Sequence, residues 1–176
     1  MLLKIDNIYD EGQDFEVLES RQHFDLDSPD CVLTEDIQIQ GRLEKFGAEI
    51  LCQGILQTGL SVKCSRCLED FNFLVHSKLK VYFVPQVESA RLGSEIELTE
   101  SDIDQEFYVD EQIDLSCPAR DLILLSLPDI KLCREDCAGL CPQCGMNLNE
   151  NSCGCKNESS CDPRLAVLQQ LKNKIE

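Results

Sequence analysis

The sequence predicts an α+β protein: an antiparallel, barrel-like β-sheet with a packed helix, a cysteine-rich C-terminal knob and a terminal helix. Three observations predict it. Runs between Asp36 and Phe83 alternate apolar and polar residues. A segment from Asp114 to Leu127 carries apolar residues at helical spacing. Six of the 12 cysteines crowd between Cys133 and Cys155. A chain of 176 residues suits one domain of ordinary size with a small appendage.

The strands follow from period-two alternation, which puts successive side chains on opposite faces of a sheet. The first 35 residues are acidic, with short strand-like pieces at Leu2–Ile5 and Phe15–Leu18. From Asp36 to Lys45, Ile37, Ile39 and Leu43 share one face, while Gln38, Gln40, Arg42 and Glu44 share the other. Phe46-Gly47 can turn the chain. Ile50, Cys52, Leu56, Leu60 and Val62 then fall at even positions, and Phe71, Phe73, Val75, Leu79, Val81 and Phe83 line one face of a third strand. Short connections between three long strands imply antiparallel hairpins.

Residues 86–114 change character, with ten acids against one cation, Arg91. They read as a long acidic loop leading into a short strand near Phe107 and Val109. Leu115, Ala119, Leu122 and Ile123 mark a helix over 114–127, with Pro118 tolerated in its first turn and Pro128 closing it. Asp162-Pro163 caps a final helix whose stripe is Leu165, Leu168, Leu171 and Ile175. The expected organisation is a β-rich body over 1–130, a knob over 131–160 and a helix over 161–176.

Composition narrows the function. A hydrophobic share of 43% with 6% aromatics and no Trp implies an aliphatic core. The net charge of −17 repels a polyphosphate except where cations gather locally, and it attracts basic partners. Met1–Asp6 lacks the pattern of a secretory peptide, and no apolar run approaches the roughly 20 residues that span a bilayer. The expected location is therefore the cytoplasm, without a membrane role. Disulfides rarely persist there, so the cysteines call for a metal or for buried thiols.

Cys141-Pro142-Gln143-Cys144-Gly145 has the chemistry of a zinc knuckle: two thiolates two residues apart can grip one Zn²⁺ from a tight turn that Gly145 permits. Cys153-Gly154-Cys155 lies within reach and completes a four-sulfur set. So short a segment lacks a hydrophobic core of its own, and a zinc–thiolate site can organise it in place of one. Cys133 and Cys137 either replace one of those pairs or join a second ion. Cys64-Ser65-Arg66-Cys67, between two strands, is the other half of such a second site. As a redox pair it would want a helix directly after it, and a strand follows instead. Cys52 has core parity and reads as a small buried hydrophobe.

Lys63, Arg66, His76, Lys78, Lys80 and Tyr82 form a basic stretch with an aromatic end, suited either to tracking RNA phosphates or to discouraging edge aggregation. No phosphate-binding glycine loop or nucleophile context is present. No catalytic residue and no small-molecule substrate are expected, and the chain reads as a non-enzyme.

With these residues in view, the sequence resembles the YceD family, the large-subunit ribosomal RNA accumulation proteins. The resemblance lies in the order of segments: Cys64–Leu68 after a long strand, Leu125-Ser126-Leu127-Pro128, the block from Cys133 to Asn149, Cys153-Gly154-Cys155, and Asp162–Leu168. It implies a role in producing or stabilising large-subunit rRNA, through rRNA itself or through a basic large-subunit ribosomal protein. Two further readings stand beside it: a zinc-ribbon regulator that binds nucleic acid outside ribosome assembly, and a thiol oxidoreductase using Cys64 and Cys67.

Overall fold

The period-two runs become three long strands in succession. The computed structural model describes residues 1–5, 8, 12–86 and 105–155. Its elements are β1 (Leu2–Lys4), β2 (Gln13–Glu19), β3 (Cys31–Leu33), β4 (Ile37–Phe46), β5 (Glu49–Lys63), β6 (Asp70–Pro85), β7 (Gln105–Tyr108), β8 (Gln112–Asp114) and α1 (Ser116–Leu125). The expected terminal helix, and residues 87–104 of the acidic stretch, lie outside the described residues. The chain divides into two compact units, Met1–Cys137 and Ala138–Glu176.

In the first unit the main sheet runs β2-β4-β5-β6-β7, with β3 also paired to β5, and β1 and β8 make a separate two-stranded ribbon. The pairs β4–β5 and β5–β6 are antiparallel, as their short hairpin loops require; β2–β4, joined through β3, is antiparallel too, whereas β7 runs parallel to β6. The barrel-like expectation needs correction. Among the described residues β2 and β7 each pair on one side only, so the sheet is open. Alternation along a strand specifies two faces but not whether the terminal strands meet.

The inner face holds an aliphatic core of Ile37, Ile39, Leu43, Ile50, Cys52, Leu56, Leu60 and Val62 with Val75, Leu79 and Phe83. Cys52 is fully enclosed, and burial pushes its thiol up to about 12. Ile113, Leu115, Ala119 and Ile123 complete the cluster from β8 and α1. The helix is shorter than the predicted 114–127. Asp114 ends β8 and accepts a hydrogen bond from the Ser116 N–H at 2.9 Å, Leu115 is the N-cap, and the Ser126 hydroxyl turns back onto the Leu122 carbonyl.

Two local features set the register. Phe46 pairs with Glu49, leaving Gly47 and Ala48 as the hairpin loop; Gly47 has φ +65°, a region open to glycine. Further along β5, Leu33 faces Leu60, and the next strand resumes with Gln38 opposite Gln57. The Thr34 and Glu35 N–H groups both point at the Gly59 carbonyl, so the intervening residues bulge without exchanging the buried face.

Gly41 and Gly54 oppose each other across β4 and β5. A Cβ added at Gly41 would lie 2.2 Å from the Gln53 carbonyl oxygen and 2.7 Å from the Gly54 Cα, both rigid backbone. Gly41→Ala is therefore expected to cost about 2 kcal/mol, read as a lowered urea midpoint. A variant as stable as the parent would show that these strands can part at no cost.

Candidate metal centres

The first centre forms where the β5–β6 hairpin ends. Cys64-Ser65-Arg66-Cys67 occupies the loop, closed by the Cys64 N–H donating to the Glu69 carbonyl at 2.9 Å and the Leu68 N–H to the Cys64 carbonyl at 3.0 Å. Leu68 takes φ +61°, a left-handed conformation reached here without glycine. The segment after α1 is held alongside: the Ser65 N–H donates to the Lys131 carbonyl, and the Lys131 N–H to the Ser65 hydroxyl. These contacts bring Cys133 and Cys137 onto the loop. The four sulfurs lie within 4.8 Å of one another, with Cys64 to Cys137 at 3.8 Å and Cys67 to Cys133 at 3.7 Å.

Those separations fit a metal. Four sulfurs at about 2.3 Å from one tetrahedral ion stand about 3.8 Å apart along each edge. Cys64, Cys67 and Cys137 are buried, with Phe71 and Leu132 packed against them. The Arg66 guanidinium donates to the carbonyls of Cys137 at 3.0 Å and Glu135 at 3.4 Å, bracing the ligand-bearing backbone.

The second centre belongs to the other unit. Cys141, Cys144, Cys153 and Cys155 again place their sulfurs within 4.8 Å. Gly145, at φ +72°, lets the knuckle turn; its N–H donates to the Cys141 carbonyl at 2.9 Å, while the Cys141 N–H donates to Met146 at 2.8 Å. Leu140 bridges Asn147, and the Asn149 side-chain oxygen accepts from the Ala138 N–H. Cys141 is buried here, but Cys144 and Cys155 are exposed.

The ion-free thiols are electrostatically uneven. Burial raises Cys64, yet N–H groups of Cys67, Cys133 and Arg66 turned on its sulfur overcome this and bring it down to about 6. The Glu69 N–H favours the thiolate of Cys67, but burial and the neighbouring sulfurs leave that thiol raised. Burial and the same neighbours push Cys133 up to about 12. In the second set the Cys144 and Gln143 N–H groups bring Cys141 down to about 6. Cys153 is raised despite the Cys155 N–H, chiefly by Cys141, and Cys144 with burial pushes Cys155 to about 12. Each set thus holds one ready thiolate, Cys64 or Cys141, beside two thiols whose ionisation is disfavoured until a cation arrives.

Both cysteine sets singled out in the sequence are thus assembled, and each could hold one metal ion. Of the two arrangements open to Cys133 and Cys137, the structure brings them together with Cys64 and Cys67. Cys31 and Cys52 are buried apart from both sets, and Cys117 is exposed. No helix begins after Cys67, where a thioredoxin-type pair would require one; β6 follows. The basic stretch is divided. Lys63 and Arg66 lie at the hairpin tip, while His76, Lys78, Lys80 and Tyr82 share the outer face of β6, with the Lys80 ammonium 5.2 Å from the Tyr82 ring centre.

Residues 52–172 match the model of the family described as large ribosomal RNA subunit accumulation protein YceD. The chain belongs to this YceD family. The matched span includes all eight cysteines of the two sets. An uncharacterised Mycobacterium tuberculosis protein is 34% identical over 130 residues, covering 74% of this chain and 59% of its own length. The large ribosomal RNA subunit accumulation protein YCED homolog 1, chloroplastic, of Zea mays is 30% identical, covering 58% of this chain and 43% of the relative. Its namesake in Arabidopsis thaliana is 33% identical over 66 residues, 38% of this chain and 20% of the relative. The chain thus spans about three fifths of the mycobacterial relative it matches. No solved structure matches it significantly, and among the described residues no helix is long and apolar enough to cross a membrane.

Two measurements test the centres. Native mass spectrometry of protein made with ample metal is expected to find two divalent ions per chain, with one lost from Cys64→Ser and one from Cys144→Ser. Titrating metal into the ion-free protein at pH 7 should release at least two protons per site, because Cys67, Cys133, Cys153 and Cys155 are still protonated there. Affinity should accordingly fall as pH is lowered, more steeply below about 6, where Cys64 and Cys141 also take up protons. An indicator dye in weak buffer reads the release, and metal uptake without acidification would rule out thiolate ligation.

Proposed function

We propose that this YceD-family chain is a non-enzymatic factor for large-subunit rRNA accumulation, acting during ribosome assembly in the cytoplasm. The observation that carries this reading is the family match over residues 52–172, which covers the long hairpin from Cys52 onward and both cysteine sets. Support for a non-catalytic role comes from ligand chemistry. Four-cysteine coordination fills every position of a tetrahedral ion and leaves none for water or substrate, the pattern of structural rather than catalytic zinc.

Zn²⁺ is the proposed ion at both sites: Cys64, Cys67, Cys133 and Cys137 hold one, and Cys141, Cys144, Cys153 and Cys155 the other. Thiolate ligands in tetrahedral array suit zinc or iron, and a role without electron transfer favours zinc. Bound there, the ion supplies charge neutralisation and a rigid cross-link. The factor contacts the large-subunit precursor through rRNA or through a basic ribosomal protein, the latter favoured by steering towards a chain of charge −17.

The experiment is a sucrose gradient of cell extract with quantified rRNA. The protein is expected to sediment with large-subunit precursors, and its depletion to lower large-subunit rRNA relative to small-subunit rRNA. Metal analysis of the same preparation should find colourless, zinc-loaded protein. Exclusive association with promoter DNA, or unchanged rRNA on depletion, overturns the proposal.

A further inference from the structure

One hairpin departs from the charge of the rest of the molecule. About one residue in five of the chain is acidic. In β5 the only carboxylate is Glu49, at its first position, and in β6 it is Asp70, likewise first. No acid occurs between Ile50 and Lys63 or between Phe71 and Pro85.

On the outer face of this hairpin Gln53, Ile55, Lys78 and Lys80 are exposed and Tyr82 is half-buried, whereas Leu51 is buried. The registers set Ile55 beside Lys78, Gln53 beside Lys80 and Leu51 beside Tyr82, and Val84 then pairs with Phe107 of β7. Lys78 and Lys80 are exposed, stand about 7 Å apart on one face, and form no ion pair among the described residues. Phe107, at the end of this row, is 66% exposed. On the same face Glu44 of β4 lies two strands from β6, about 12 Å from the Lys80 position and paired with Arg42, while Asp14 and Glu16 belong to β2, three strands and about 14 Å away. Both distances exceed the screening length of about 8 Å at physiological salt. A phosphate over Lys78 and Lys80 is therefore shielded from those carboxylates even though the whole chain is strongly negative.

We propose that this outer face of β5, β6 and β7 binds a single strand of RNA, its phosphates on Lys78 and Lys80 and its bases on Tyr82 and Phe107. Exposed cations beside aromatic rings on an open sheet are what single strands use, because every base offers a face to stack while the lysines follow the backbone. A basic protein finds no carboxylate on β5 or β6 beyond the first residue of each strand. That the bound strand is ribosomal rests on the assembly role proposed above; that the face binds RNA does not. The structure also drops Lys63 and Arg66 from the contact set. Lys63 lies about 26 Å along the hairpin from Lys78, and the Arg66 guanidinium is committed to the carbonyls of the first cysteine set.

The test is fluorescence anisotropy of the metal-loaded full chain with a labelled oligouridylate of about a dozen nucleotides, between about 50 and 200 mM salt. The double variant Lys78→Glu/Lys80→Glu is expected to bind at least tenfold more weakly. Its plot of log affinity against log salt should be shallower by about 1.4, the share of two phosphate contacts to a single strand. Phe107→Ala should weaken binding at least fivefold, whereas Lys63→Glu should change it less than twofold. Circular dichroism and metal content establish that each variant is folded. The proposal is overturned if the parent does not bind the oligonucleotide, if Lys63→Glu weakens it as much as the double variant, or if the face instead captures an arginine-rich peptide. Failure here with continued sedimentation on large-subunit precursors removes the RNA face and leaves the assembly role; failure of both removes the two together.

Discussion

Four sulfur atoms confined within 4.8 Å of one another are the constraint on which the first unit depends. Without a cation they cannot all ionise, because each thiolate formed raises the cost of the next in surroundings that are largely buried. Backbone N–H groups bring Cys64 below the usual thiol range, whereas at Cys67 the Glu69 N–H is outweighed by burial and neighbouring sulfurs. A divalent ion resolves the repulsion and ties the hairpin tip to the segment after α1. Cys67 and Cys133 are 66 residues apart in sequence, and a cross-link over such a loop removes roughly 4 kcal/mol of chain entropy from the unfolded state, by the reckoning used for disulfides.

Much of this was legible beforehand. Ile50, Cys52, Leu56, Leu60 and Val62 declare the buried face of β5 by parity alone, and the Cys141–Cys155 set by local spacing. The partners of Cys64 and Cys67 were legible as a ligand count but not as a contact, since proximity across so much sequence depends on where α1 delivers the chain. The bulge at Thr34 and Glu35 carries no glycine or proline to announce it, and Leu68 enters left-handed space where sequence alone would place another residue type. The expected limits, 114–127, exceed the helix because Asp114 ends β8, Leu115 and Ser126 are its caps, and Leu127 lies beyond them, ahead of the closing Pro128. The open sheet differs from the expected barrel for a similar reason: alternation is silent on the pairing of terminal strands.

The β5–β6 hairpin unites the main features of the unit. One of its faces supplies eight of the 19 buried residues of the apolar core, its tip supplies two of the four clustered thiols, and its other face carries Lys78, Lys80 and Tyr82 with no acid between them. Core, metal and surface are therefore mechanically continuous along two strands. The paired glycines, Gly41 and Gly54, hold β4 against this hairpin more closely than any side chain would permit. The second cysteine set is built differently, from neighbouring residues in a short segment with Cys144 and Cys155 exposed, so an ion held there would be the more accessible to competing ligands.

The long separation between the two halves of the first cysteine set also imposes an order in time. At translation speeds of about 5–20 residues per second, Cys67 leaves the peptidyl-transferase centre several seconds before Cys133 is added. Throughout that interval the hairpin tip presents half a coordination sphere, a pair of thiols too few to retain an ion. An ion held by all four thiols of the first set can therefore be captured only late in the life of the nascent polypeptide, once residues through Cys137 have been made.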